Sequence, residues 1–277
     1  MNVRVYKPKS ELLSRLIDCF YLLDRTDNET NTVYLTFPST FSIHTINFNT
    51  KIKSEGVRHK IYHDETVGVS SSLVCRFKSP FCFEYEGQTS EITIYYKPLG
   101  INAFLEKPLE EYAEGVLSDF IPFNDLESTF KEVLFQSDEE KILNLEKYLL
   151  TKYRGFNHPY IAEFVDDLKN ENLDSISISK LADKYGVTQK TVIRHFEKHL
   201  CKTPSEFRKI VRFRKALDIF NQQTEKLNLT ELSYILNYFD QSHLIKEFKS
   251  LTGYTPKKFF SKITPMGEGK INWMFLT

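Results

Sequence analysis

Residues 228–260 carry a start or stop signal for every segment within them, which leaves few ways to fold. Asn228 with Glu231 three residues later is a capping box, and Leu229, Leu232, Ile235 and Leu236 give the helix that follows an apolar side. It stops at Asn237, a residue type that tolerates left-handed backbone, so Asn237-Tyr238-Phe239 reads as an elbow. Asp240 then caps a second helix. Leu244 and Phe248 in it face inward at i, i+4, while Gln241, Ser242, Ile245, Lys246 and Lys249 face outward. The spacing predicts a helix-turn-helix whose outer helix opens with neutral donors and acceptors and continues with lysines. That order suits base edges first and phosphates next.

The pattern occurs once before. Ser175-Ile176-Ser177-Ile178 leads into Leu181-Ala182, then Gly186-Val187-Thr188, then Gln189 to Phe196, and finally Thr203-Pro204. Phe196 repeats as Phe248 and Thr203-Pro204 as Thr255-Pro256 at a separation of 52; Leu181 and Gly186 repeat as Leu232 and Asn237 at 51. Two diverged copies of one reading unit is the simplest account. In the first outer helix Val192 and Phe196 face the core, and Gln189, Lys190, Ile193 and Arg194 face out. An arginine fork matches guanine O6 and N7, so Arg194 is the first candidate for base reading, against the plainer alternative of a solvated arginine. Lys246 holds the equivalent place in the second copy and suits a phosphate better. Ser242 can bond either, and Gln241 can pair with adenine or bond its own turn.

With these residues in view, residues 157–263 resemble the DNA-binding domain of the AraC/XylS family of bacterial transcription regulators. The most specific stretch is Tyr238-Phe239-Asp240-Gln241-Ser242-His243, followed by Phe248-Lys249, Gly253, Thr255-Pro256 and Phe259. Two departures stand out: Asn237 replaces the family's elbow glycine, and Phe260 stands where an arginine often closes the motif. The segment from Lys97 to Leu105, with Pro108-Leu109, is similar to one in the N-terminal domains of many such regulators. The resemblance implies double-stranded DNA and RNA polymerase as partners, a bacterial activator, a small-molecule effector, and a homodimer.

Net charge is zero over 277 residues, but the halves differ. Residues 1–156 hold 18 Lys and Arg against 23 Asp and Glu, while residues 157–265 hold 18 against 13. One half is therefore suited to phosphates and the other repels them. No apolar run approaches the ~18 to 20 residues of a membrane span, and no signal pattern opens the chain, so a cytoplasmic protein without a membrane partner is expected. Cys19, Cys75, Cys82 and Cys201 have no paired spacing and read as free buried thiols.

Up to about residue 122 the chain is rich in β-branched and aromatic runs. Val33–Phe37, Phe41–Phe48, Lys60–His63, Thr66–Val69, Leu73–Phe77, Phe81–Tyr85 and Glu91–Tyr96 read as strands, and Glu11–Tyr21 as a helix entering them. Tyr34, Phe37, Phe41, Phe48, Phe77, Phe81, Phe83, Tyr85, Tyr95 and Tyr96 are candidates either for plain core or for the lining of a ligand cavity. His59 and His63 fall on one face of a strand about 13 Å apart, too far to share a metal. From Leu126 to Tyr153 the period turns helical, with a second capping box at Ser137 and Glu140. These helices either cover the β domain or pair with a second subunit. A helix capped by Thr203 and Glu206 runs through Phe207, Val211, Ala216, Leu217 and Phe220 as the spacer between the two units. Arg208, Lys209, Arg212 and Arg214 read as its solvated face.

The expectation is an α+β chain of two domains: 1–153, a β-rich effector or oligomerisation domain built as a small barrel or sandwich with helices; and 157–264, an all-α DNA-binding domain of two helix-turn-helix units. A tail, 265–277, has no clear period. No catalytic triad, metal or cofactor is indicated, and a sequence-specific regulator rather than an enzyme is expected. The rivals are a DNA repair or modifying protein with a reactive cysteine, and an interaction protein that no longer reads DNA.

Overall fold

The structure is a computed structural model that describes residues 1–26, 30–170, 177–222, 228–266 and 271–276. Ser175 and Ile176, at the head of the first repeat, lie outside the described residues. The β-rich region opens with β1 (Asn2–Tyr6), α1 (Glu11–Leu16) and β2 (Ile17–Arg25), then β3 (Thr32–Thr36), β4 (Ser42–Phe48) and β5 (Thr50–Glu55). It continues with β6 (Arg58–His63), β7 (Val69–Val74), β8 (Phe81–Glu86), β9 (Thr89–Tyr96) and β10 (Leu117–Asp119). Two helices follow, α2 (Leu126–Phe130) and α3 (Asp138–Lys152). The helical region is α4 (Ile161–Asn170), α5 (Ile178–Lys184), α6 (Gln189–Leu200), α7 (Pro204–Gln222), α8 (Leu229–Ile235), α9 (Gln241–Thr252) and α10 (Pro256–Phe260). The chain returns to strand in β11 (Thr264–Met266) and β12 (Ile271–Leu276).

Two six-stranded sheets make a sandwich. One has the order β1-β2-β9-β4-β7-β10, the other β11-β12-β3-β8-β6-β5, where the β6 and β8 pairing is parallel. Side chains from both sheets fill the space between them, including Cys19, Tyr21, Leu23, Tyr34, Ile61, Tyr85 and Tyr95. The first sheet's other face packs under α1, α2 and α3 through Phe20, Leu22, Ile46, Ile92 and Ile94 against Leu126, Phe130, Ile142, Leu145 and Leu149. Covering the β domain is therefore what α2 and α3 do. The Ser137 and Glu140 capping box at the start of α3 is formed in both directions.

The helix expected over Glu11–Tyr21 ends at Leu16, where the chain becomes β2. Because β2 is covered on both faces, its apolar residues run consecutively, and such a run carries no period to separate strand from helix. Gly100 lies where the chain crosses over α1: a Cβ there would stand 2.0 Å from the Leu16 carbonyl oxygen, so only glycine fits. Thr66–Gly68 is a turn rather than strand, and the strand expected over Leu73–Phe77 lies earlier, over Val69–Val74.

The tail is not separate. β12 lies between β11 and β3, with Trp273 opposite Thr36 and Phe275 opposite Tyr34. The Trp273 indole stacks on Tyr34 with ring centroids 4.1 Å apart and enters the sandwich interior. Its neighbour Met274 points the other way, into the core of the second helix-turn-helix unit. Replacing Trp273 by Ala should cost about 3–5 kcal/mol of unfolding free energy, read as a lower urea midpoint at unchanged slope. A loss under about 1 kcal/mol, the size of a minor surface change, would show that β12 does not hold the sandwich.

Candidate nucleic-acid interface

Both elbows are built by the same bonds. In the first unit the Val187 N–H donates to Ala182 O at 2.9 Å and the Gly186 N–H to Asp183 O at 3.3 Å. In the second, Tyr238 N–H donates to Ser233 O at 2.9 Å and Asn237 N–H to Tyr234 O at 3.1 Å. Gly186 and Asn237 sit at φ 62° and 53°, the left-handed conformation that ends a helix and turns the chain. The asparagine therefore does the glycine's work, at a cost of roughly 1 kcal/mol.

The outer helices α6 and α9 are each twelve residues long. Thr188 caps α6 by accepting from Thr191 N–H at 3.1 Å, and Asp240 caps α9 by accepting from His243 N–H at 2.7 Å. Val192, Phe196 and Leu200 hold α6 against α4 and α5; Leu244, Phe248 and Leu251 hold α9 against α7, α8 and α10. The opposite faces are left to solvent. Gln189, Lys190 and Arg194 are exposed on α6, and Gln241, Ser242 and Lys246 on α9. Ile193 and Ile245 are only half exposed, and Ile245 packs against the core of its unit. These two isoleucines, read from sequence as outward, stand at the edge of the exposed polar face. His243 and Lys249 are exposed on α9, each three positions from Lys246, and so extend the face.

The spacer α7 has nineteen residues, about 28 Å at 1.5 Å each. Its cap pairs Thr203 and Glu206 reciprocally, at 2.9 and 3.2 Å. Two of its arginines are not on a solvated face. Arg212 is 9% exposed and meets the 4% exposed Glu247 of α9 through two bonds of 3.0 and 2.9 Å. The same guanidinium lies over the Tyr238 ring, and the Tyr238 hydroxyl donates to Glu247 at 2.7 Å. Arg214 donates to the carbonyls of Phe37 and Pro38 at 2.7 and 2.8 Å. One arginine thus fixes α9 on the spacer and the other fixes the spacer on the β domain. Phe260, standing where the family often has arginine, stacks on Phe220 of α7 with centroids 4.1 Å apart.

The expected aromatic lining is split between sites. Tyr34, Phe81, Phe83, Tyr85 and Tyr95 line a cavity of about 30 Å³ between the sheets, joined by Tyr21, Trp273 and the carboxyl of Glu91. Burial pushes Glu91 up to about 7, although Tyr21 and Tyr85 hydroxyls donate to it at 3.2 and 3.1 Å. That volume suits water rather than a metabolite. Phe37 lies elsewhere, in the core of the second unit, edge-on to Phe259 at 4.7 Å. Phe48 and Tyr96 belong to the layer under the helices, and Phe77 to a small cluster with Phe81. A larger groove of about 280 Å³ lies between the β domain and α7, lined by Phe41, Lys97, Lys169, Arg214, Lys215 and the carboxylates of Asp18 and Asp218, among others. Among the described residues no three His, Cys, Asp or Glu side chains are placed to hold a metal, and no helix is long and apolar enough to cross a membrane.

On its inner edge α6 carries His195 and His199 beside His158, with ring centroids 5.0 and 5.4 Å from His158. Burial, and then the neighbouring positive groups, hold all three below the ordinary imidazole value, His199 at about 4. A folded state that takes up these protons later than the unfolded chain is stable above the ordinary value of about 6.5 and loses stability as pH falls from there toward 4. His199→Asn, which keeps a side-chain donor, should flatten that dependence between pH 6.5 and 4 in urea titrations. Parallel curves for both proteins would exclude the histidine as its source.

Residues 181–262 match the family described as a helix-turn-helix domain. No curated protein matches the chain. Among solved structures the chain is similar to ToxT from Vibrio cholerae, at 10% identity over 94% of this chain and 98% of that one, with a TM-score of 0.44. ToxT from Vibrio cholerae strain SCE256 with an unsaturated fatty acid bound is similar at 13% identity over 87% and 94%, again with a TM-score of 0.44. The xylose-binding transcription activator XylR is similar at 19% identity over 40% and 29%, with a TM-score of 0.32. Two elbows closed by matching bonds, two capped outer helices with polar outward faces, and the family match over that span lead to one assignment: residues 181–262 are an AraC-type helix-turn-helix domain.

Proposed function

We propose that the chain is a sequence-specific transcription regulator that reads two successive major-groove segments with α6 and α9. The observation that carries this reading is the repeated elbow with an exposed polar face behind it. Arg194 is the base reader of the first unit, with Gln189 and Lys190 beside it. In the second, Gln241 and Ser242 meet bases, and Lys246 a phosphate, while Ile193 and Ile245 make edge contacts with thymine methyls or sugars. A rod of about 28 Å with its flanking turns suits a spacing near the ~34 Å of one duplex turn.

The β-rich domain, residues 1–153, supplies control and pairing in this reading, and residues 157–264 supply recognition. The groove beside α7 is the best-placed effector site, because a ligand there touches both the β domain and the spacer. Its Lys97, Lys169 and Lys215 favour a small anionic molecule. Leu143 and Leu150 stand seven residues apart on α3, both exposed, and offer an apolar edge through which two copies pair. RNA polymerase is the partner at the promoter, and activation is the expected output.

Affinity for a cognate promoter duplex should fall by about 10³-fold or more between 50 and 200 mM salt, as release of counterions from ~6 to 10 phosphates requires. A flat salt response excludes the proposed mode. Arg194→Ala should cost about 1–3 kcal/mol and relax preference at one base position; equal loss on every sequence would make Arg194 a phosphate contact instead. Charged replacements at Leu143 and Leu150 should convert dimer to monomer in sedimentation, and an unchanged sedimentation coefficient would remove α3 as the pairing surface.

A further inference from the structure

The first reading helix ends on a residue that its counterpart does not need. Cys201 closes α6 in left-handed backbone at φ 54°, its N–H returning to Glu197 O at 2.9 Å; Gly253 closes α9 at φ 76°, its N–H returning to Lys249 O at 2.8 Å. Glycine is the economical choice at such a position, and the first unit carries a thiol there instead. That thiol does not join the core of its own unit. It is buried in the core of the β-rich region, among side chains that otherwise come from residues 13–149.

There it lies in the same buried cluster as Cys75, the residue that follows β7. Both side chains are buried and both thiols are free. The next residue, Lys202, is 2% exposed and donates its ammonium to the Cys75 carbonyl at 2.5 Å and to Leu200 O at 3.5 Å. The seam is continued by Asn102, whose amide donates to His199 O at 2.9 Å, and by Lys78 against Glu206 at 2.7 Å. The fold therefore sets the Lys202 cation beside Cys75. The neighbouring Cys201 thiol and the nearby charges of Lys202 and Arg76 draw the Cys75 thiol below its ordinary value, against burial, while Cys75 and burial push Cys201 up.

We propose that Cys75 and Cys201 form a reversible disulfide across the two regions when the chain meets a hydroperoxide, fixing the end of the first reading helix to the β domain. The Cys75 thiolate attacks one peroxide oxygen: an S–O bond forms, the O–O bond breaks, and the leaving oxygen takes a proton as alcohol or water. Cys201, losing its proton, attacks the sulfenic sulfur; the S–S bond forms and hydroxide leaves, protonated to water. Two thiols and one hydroperoxide give one disulfide, one alcohol or water, and one further water, with two electrons passing from sulfur to oxygen. A second thiol pair, such as two molecules of a small cellular thiol, reverses it. The consequence for DNA rests on the function proposed above; the linkage itself does not.

The test uses the full chain treated with hydrogen peroxide, alkylated, denatured, and digested without reductant. One linked peptide pair joining Cys75 and Cys201 is expected, with Cys19 and Cys82 recovered as thiols and the midpoint of thermal unfolding raised by oxidation. Cys201→Gly, which copies the Gly253 position and so should fold, must lose both the linkage and the rise. Recovery of Cys75 and Cys201 as thiols, or linkage to another cysteine, overturns the proposal. On a promoter duplex spanning both units, oxidation should change the affinity of the wild-type chain about tenfold or more and leave Cys201→Gly unmoved. Equal affinities of the oxidised and reduced chain would overturn the regulatory role. A reduced chain that binds no duplex, yet links Cys75 to Cys201, would count against the DNA-reading proposal and leave the linkage standing.

Discussion

The arrangement of the whole chain depends on where its last strand goes. β12 adds to β3 in register, and its alternate side chains serve two cores: Trp273 fills the space between the sheets, and Met274 the interior of the second helix-turn-helix unit. A strand has a side-chain period of two, so one segment can satisfy both neighbours only when it lies on the boundary between them. Burying an indole and a thioether in this way contributes on the order of a few kcal/mol. The DNA-binding region is consequently not a module on a tether.

The same economy appears in α7. Its arginines turn inward, Arg212 to Glu247 and Arg214 to the backbone of Phe37 and Pro38. A buried guanidinium contributes little net stability when paired, yet removing its partner leaves an expensive charge, so such pairs hold geometry. Here the geometry held is that of α9 on the spacer, and of the spacer on the sandwich. Phe37 completes the contact by entering the aromatic cluster of Phe213, Phe248 and Phe259.

What the sequence revealed was local. The boxes at Asn228 and Glu231 and at Ser137 and Glu140, the caps at Thr188 and Asp240, and the elbows at Gly186 and Asn237 are short-range bonds between residues within about five positions, and each is formed. The exposed polar face follows from them because helix period alone sorts Arg194 outward and Phe196 inward. What stayed hidden was long-range. β2 lost its period to burial on both faces. Arg212 and Arg214 looked solvated because Glu247 and Pro38 are far along the chain, and the tail looked featureless because β3, its partner, lies more than two hundred residues earlier. Cys75 gained a cation for the same reason: Lys202 reaches it only in the fold.

The two units are not attached to the sandwich with equal strength. The second shares its core with Phe37 and Met274, so separating it from the β domain exposes apolar surface on both sides. The first takes Leu99 from the β-rich side into its own core, gives Cys201 to the core of that side, and otherwise meets it through a polar seam: Lys202 on a carbonyl, Asn102 on His199, Lys78 on Glu206. Polar contacts exchange readily with water and net about 1 kcal/mol each, whereas an apolar core does not exchange at all. The first unit is therefore joined to the sandwich more by polar contacts, and the second more by shared core. A covalent bond from Cys201, at the end of α6, would reinforce the interface that shares less core.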